Sequence, residues 1–135
     1  MAFQFSTATR NAALDQIETT IGTSAVLRIR SGAVPATCAT ADSGTVLATA
    51  NLPSDWLAAA SGGSKSLSGT WQDTSADATG TAGHFRIYDS TGATCHIQGT
   101  ITATGGGGDM TVDNPSITSW QSVSITAFTI NAGGA

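Results

Sequence analysis

The chain has 135 residues, of which 10% are charged and 40% hydrophobic, and a formal net charge of −4. That length supports one hydrophobic core and no second domain, so residues 1–135 are read as a single unit. Five basic residues, Arg10, Arg28, Arg30, Lys65 and Arg86, are scattered along an acidic chain. They make no basic face for nucleic acid, and no segment approaches the roughly 20 apolar residues of a membrane span.

The first residues, MAFQFSTATR, lack a charged region followed by a long apolar run, so no signal peptide is read and folding in the cytoplasm is expected. Phe3 and Phe5 alternate ahead of Ser6, a helix N-cap residue type. The spacing Leu14, Ile17, Ile21, with Ala13 beside it, predicts a helix over about 6–22 that Gly22 closes. Its stripe is narrow, suited to lying on a sheet or against a second copy of the chain.

The remaining chain reads as short strands from about residue 25 to 130. Ala25 to Arg30 places Leu27 and Ile29 inward and Arg28 and Arg30 on the other, solvated face. Ser31 to Gly44 is a long Pro/Gly/Ala/Thr loop, and a loop of that length is functional or tucked against a neighbour. Thr45 to Leu52 is a strand, and Ser54-Asp55-Trp56-Leu57 predicts one or two helical turns. Lys65 to Gln72 reads as a strand with Leu67 and Trp71 on one face and a bulge at Gly69.

The clearest element is GHFRIYDSTGATCHIQGTI, residues 83–101, a β-hairpin with alternating arms. A three-residue loop, Ser90-Thr91-Gly92, would pair Phe85 with Ile97 and Ile87 with Cys95. That register leaves Arg86, Tyr88, His96 and Gln98 as a flat polar face open to a neighbouring subunit. Gly105 to Gly108 reads as a flexible connector, since the Lys-Ser or Lys-Thr of a phosphate loop is missing. Met110 to Val112 is a short strand, Asp113 to Ser116 a turn, and Val123 to Ile130 a last strand whose change of parity predicts a bulge near Ala127. Asn131 to Ala135 is read as a frayed tail.

Seven or eight short strands after one helix indicate a mainly β protein, an antiparallel β-sandwich of Ig-like or jelly-roll-like arrangement. The predicted core is Leu27, Ile29, Val46, Leu67, Trp71, Phe85, Ile87, Cys95, Ile97, Ile101, Val123 and Ile125.

Little in the chain points to chemistry. His84 and His96 are the imidazole bases, and no G-x-S-x-G context surrounds any serine. Asp73 and Asp77 lack the full calcium-loop pattern, and Cys38 and Cys95 have no metal-ligand spacing. No cofactor or metal is expected, and a structural part is favoured over an enzyme. The two cysteines are read as reduced thiols, with a disulfide formed after release from the cell as the other option.

The runs LRIRSGAVPATCATADSGTVLATANLPSDW, GTAGHFRIYDSTGATCHIQGTITATGGGGDMTVDNPSI and SVSITAFTI resemble small proteins encoded in the virion-structural gene clusters of tailed bacteriophages and prophages. The resemblance implies a particle component of head or tail, located in the virion. A capsid decoration or cement protein is the first expectation, with major capsid protein or other virion proteins as partners and a homo-oligomer, a trimer among the options, as the binding form. A tail, collar or fibre component, including a receptor- or glycan-binding module that stacks Trp56, Trp71 or Trp120 on sugars, is the alternative. Trp120 departs from the small residue that the resemblance places in that turn. The contact residues expected on this reading are Phe3, Phe5, Val34, Pro35, Arg86, Tyr88 and Trp120.

Overall fold

A computed structural model describes residues 3–134. The chain is mainly β with one helix at its N-terminal end, as expected. In chain order the elements are α1 (Thr7–Ile21), β1 (Val26–Ser31), β2 (Val46–Asn51), β3 (Ser64–Ser66), β4 (Gln72–Asp73), β5 (Gly80–Tyr88), β6 (Cys95–Ala103), β7 (Met110–Val112), β8 (Ser116–Ile117) and β9 (Val123–Asn131).

The strands run β2-β1-β5-β6-β7-β9-β3 in one curled sheet, with β4 also paired to β9 and β8 to β5. The curl brings the two flanks back together. β4 lies on β9, and its Asp73 carboxylate accepts the Thr49 backbone N–H of β2 at 2.9 Å. The interior is therefore faced from both sides: Phe85 of β5 packs edge-on to Phe128 of β9, ring centroids 5.5 Å apart, and Phe128 continues through Trp71 to Trp56. Leu27, Ile29, Leu47, Ile87, Met110, Val112 and Ile117 fill the space between. Burying a side chain of this size contributes roughly 1.5–3 kcal/mol.

α1 closes one side. Ser6 caps it by accepting the Thr9 N–H at 3.2 Å, and Gly22 ends it. Leu14 and Ile21 are buried while Ile17 packs at the edge of the core. The helix lies on its own domain, fastened through polar groups that its narrow stripe does not announce. Lys65 of β3, buried, donates to Asp15 at 2.7 Å and pairs with Glu18 at 3.0 Å. Gly63 N–H reaches Asn11 Oδ1 at 2.9 Å, and Trp56 Nε1–H reaches the Gly22 carbonyl at 3.1 Å.

Several local expectations need correction. Residues 52–57 form a single turn at Ser54-Asp55 instead of helical turns, because Trp56 and Leu57 are pulled fully into the core. The strand read across 65–72 is broken into β3 and β4 at Gly69. Val46, Leu67, Cys95, Ile97 and Ile125 are only partly buried, and Leu47 takes the interior position in place of Val46. The tail is ordered through Gly134, whose carbonyl accepts the Phe5 N–H at 2.6 Å.

The sheet also contains a parallel pair, β6 beside β7, joined by six residues, 104–109. Parallel neighbours ordinarily need a longer crossover. Here the glycine run folds flat against Thr102: Gly106 N–H bonds Ala103 O at 2.9 Å and Gly108 N–H bonds Thr102 Oγ1 at 3.0 Å. A Cβ on Gly106 would lie 2.7 Å, and one on Gly108 2.9 Å, from Thr102 side-chain atoms. Gly105 to Gly108 is a tight fold-back set by close approach, in place of the flexible connector that composition indicated.

Candidate functional site

The face of β1 and β5 that points away from the core carries Arg28, Arg30, His84, Arg86 and Tyr88, in register as Arg28 with Arg86 and Arg30 with His84. Alternation makes this a polar face, and it was expected to be solvated and open. It is roofed instead. The loop from 32 to 44, here called the strap, crosses it, and Arg86 and Tyr88 are only 2% and 1% exposed. They cannot act as the open contact residues expected of them.

The strap is held by chemistry that the sequence carries in plain view. Asp42 accepts from the Arg86 guanidinium at 2.6 Å and from the Tyr88 hydroxyl at 2.6 Å, and pairs with Arg30 at 3.1 Å. Arg86 Nη2 also donates to the carbonyls of Thr37 and Thr40, each at 2.9 Å. Gln98 of β6 accepts from Arg86 at 2.9 and 3.0 Å and donates to the Pro35 carbonyl at 2.7 Å. Partial burial works against ionising Asp42. The Tyr88 hydroxyl and the Arg86 and Arg30 charges outweigh it, holding the carboxyl below its ordinary range. Burial and the Asp42 carboxylate raise the Tyr88 phenol. Arg28 stacks on the Tyr88 ring, 4.8 Å from its centroid, and donates to Gly92 O at 2.7 Å.

This packing depends on a hairpin register different from the expected one. Phe85 faces Gly99, Arg86 faces Gln98, Ile87 faces Ile97, and a bulge sets Tyr88 against Cys95. The turn is longer than three residues because Asp89 N–H bonds Thr94 O at 3.2 Å, while the Asp89 carboxylate gathers the Thr91 N–H and hydroxyl. Arg86 thereby meets an amide that can accept from it, where the expected register would have set it against His96.

The histidines are separated. His84 is fully buried, its Nδ1 3.0 Å from Gly32 O and its Nε2 without a partner among the described residues. His96 lies 3.9 Å from Asp89. Among the described residues neither hydrogen-bonds a serine, and no three His, Cys, Asp or Glu side chains converge in metal-holding geometry. Asp73 and Asp77 come together on Thr49, taking its N–H at 2.9 Å and its hydroxyl at 2.8 Å. An open cleft of about 530 Å³ beside α1 is lined by Asp15, Glu18, Asp55 and Lys65, but two of those carboxylates already serve the lysine.

Exposed large apolar side chains mark the remaining candidate surface: Phe3 at 72%, Phe5 at 46% and Trp120 at 83%. Trp56 and Trp71 are core residues, so only Trp120 of the three tryptophans is free to stack on anything. It sits at φ +73°, a left-handed conformation that a bulky residue rarely adopts. The turn that imposes it is tightly bonded. Trp120 N–H donates to Ala76 O at 2.9 Å, Ser119 N–H to Thr79 Oγ1 at 3.0 Å, and Gln121 N–H to Thr118 O at 3.0 Å. Phe3 and Phe5 pack edge-to-face, 5.2 Å between centroids, next to the other end of β9 where Phe5 bonds Gly134. β9 runs between the two: Trp120 precedes its first residue, and Gly134, bonded to Phe5, follows its last. Val34 and Pro35 are half-buried in the strap. No protein-family model, no curated protein and no solved structure matches the chain.

Proposed function

We propose that the chain is a structural protein of a tailed-phage virion, a decoration or cement subunit that binds assembled major capsid protein as a homo-oligomer. The sequence resemblance supplies the setting. The observation that carries the contact is Trp120, held outward at 83% exposure by a turn whose backbone is bonded on both sides. A large aromatic in a pre-ordered position loses little freedom on docking, which is the usual character of an interface anchor. Burying its exposed part, about 170–200 Å², is worth roughly 4–5 kcal/mol.

A second apolar point at Phe3 and Phe5, beside the chain that leaves the far end of β9, gives the subunit two places with which to bridge neighbours. Low charge suits such close contact. The same tryptophan also fits a sugar-stacking module of a tail, collar or fibre, which is the rival reading. Titrating purified protein onto capsids that lack it distinguishes them. Saturable binding that Trp120→Gly weakens at least tenfold supports decoration; absence of capsid binding together with binding to host cells or glycans supports the rival.

A further inference from the structure

The strap and the hairpin each carry one cysteine, and the fold brings the two together. Cys38 lies in the strap between Thr37 and Thr40, whose carbonyls are both held by Arg86. Cys95 opens β6 opposite Tyr88, next to the Arg86–Gln98 pair that fixes the strap at Pro35. Both cysteines lie on the strap side of the hairpin, the Cys95 thiol donating to the Ile97 carbonyl at 3.4 Å, and both are half-buried and within reach of a small reagent. The chain has no other cysteine, so nothing competes for either thiol within the molecule.

We propose that Cys38 and Cys95 are a redox site: oxidation by a small-molecule disulfide joins them and locks the strap over the Arg86–Asp42 network. Burial and the neighbouring thiol push Cys95 up to about 12, so it stays protonated at neutral pH and the first exchange runs through Cys38. The Cys38 sulfur attacks one sulfur of the oxidant, forming a mixed disulfide and releasing one small thiol. Cys95 Sγ then attacks the Cys38 sulfur, loses its proton to solvent and releases the second small thiol. Two protein thiols are oxidised, one disulfide is reduced, and two protons end on the two released thiols. The bond would tie the strap, which joins β1 to β2, directly to β6.

The test is incubation of the full chain with oxidised glutathione at pH 8, followed by intact mass, peptide mapping and amide exchange. The proposal expects a loss of the mass of two hydrogens and a Cys38–Cys95 linked peptide. It also expects about tenfold or greater slowing of exchange across residues 33–43, all reversed by a reductant. Cys38→Ser, a near-isosteric change at a half-buried position of the strap, should fold with unchanged melting temperature and show no slowing after the same treatment. Persistent free thiols, stable glutathione adducts on each cysteine, disulfide-linked dimers, or a linked peptide without any slowing of strap exchange would each overturn it.

Discussion

Asp42→Asn tests whether the strap is held by the charges beneath it. The carboxylate is shared by Arg86, Arg30 and the Tyr88 hydroxyl, and both guanidiniums are buried. The amide keeps one acceptor oxygen but carries an NH₂ that neither guanidinium can accept from, since both only donate. Removing one partner of a fully buried ion pair costs about 3–5 kcal/mol. The Asp42 side chain is 40% exposed, so water can reach the vacated position and about 2–3 kcal/mol is the expected loss. For 135 residues that corresponds to a melting temperature roughly 7–10 °C lower. Urea denaturation followed by tryptophan fluorescence measures it, with Asp55→Asn, an exposed carboxylate in a turn, expected within about 0.5 kcal/mol of wild type. A loss below about 0.5 kcal/mol for Asp42→Asn, equal to that control, would refute the claim that the network holds the strap.

Acid should destabilise the fold through the same group. Asp42 has a depressed native value, as do Asp15, bonded by Lys65, and Asp89, bonded by the Thr91 hydroxyl. Their contribution is fully present above the unfolded carboxylate value near 4 and is lost as pH falls through the lower native values, so melting temperature should hold above about pH 5 and drop below about pH 4. Asp42→Asn should flatten that drop. Lys65→Met should cost under about 1.5 kcal/mol, because an apolar chain of similar volume fills the site and the two carboxylates released are the more exposed partners. Asp15→Ala with Glu18→Ala leaves Lys65 buried and unpaired and should cost about twice as much or more in the same urea titration. Gly44→Ala should destabilise by about 2 kcal/mol or more, since φ is +72° and the new Cβ would lie 2.0 Å from Ser31 O where the strap closes. Trp120→Gly should leave stability unchanged or raise it by up to about 1 kcal/mol in thermal melts, because it removes no core contact and relieves a left-handed backbone.

Local signals in the sequence were reliable where the structure is locally determined. Ser6 and Gly22 bound α1, Met110 to Val112 is a strand, and the register slip of β9 against β7 falls at Thr126, next to the Ala127 where parity changes. The faces of the hairpin were legible, but its register was not, because the Asp89 carboxylate selects a longer turn than the glycine position alone implies. The roof over the outer face of β1 and β5 was the largest omission. Alternation separates two faces without saying that both are covered, so Arg86 and Tyr88 read as solvated when a second, polar layer lies over them. One clue was present: a long loop with small side chains and a single acid, Asp42, beside strands carrying Arg28, Arg30 and Arg86. Lys65 gave no such clue, since its partners lie 50 and 47 residues away on α1. The parallel β6–β7 pair was hidden because a glycine run reads as freedom, whereas here it is required by contact with Thr102.

The proposed role stands or falls on where the protein sits and in how many copies. Absolute quantification of the chain against major capsid protein, by mass spectrometry of purified intact particles, measures this directly. A decoration subunit should be present on the order of hundreds of copies per particle, in a fixed simple ratio to the capsid subunits whose symmetry it follows. A handful of copies, or none, would contradict it.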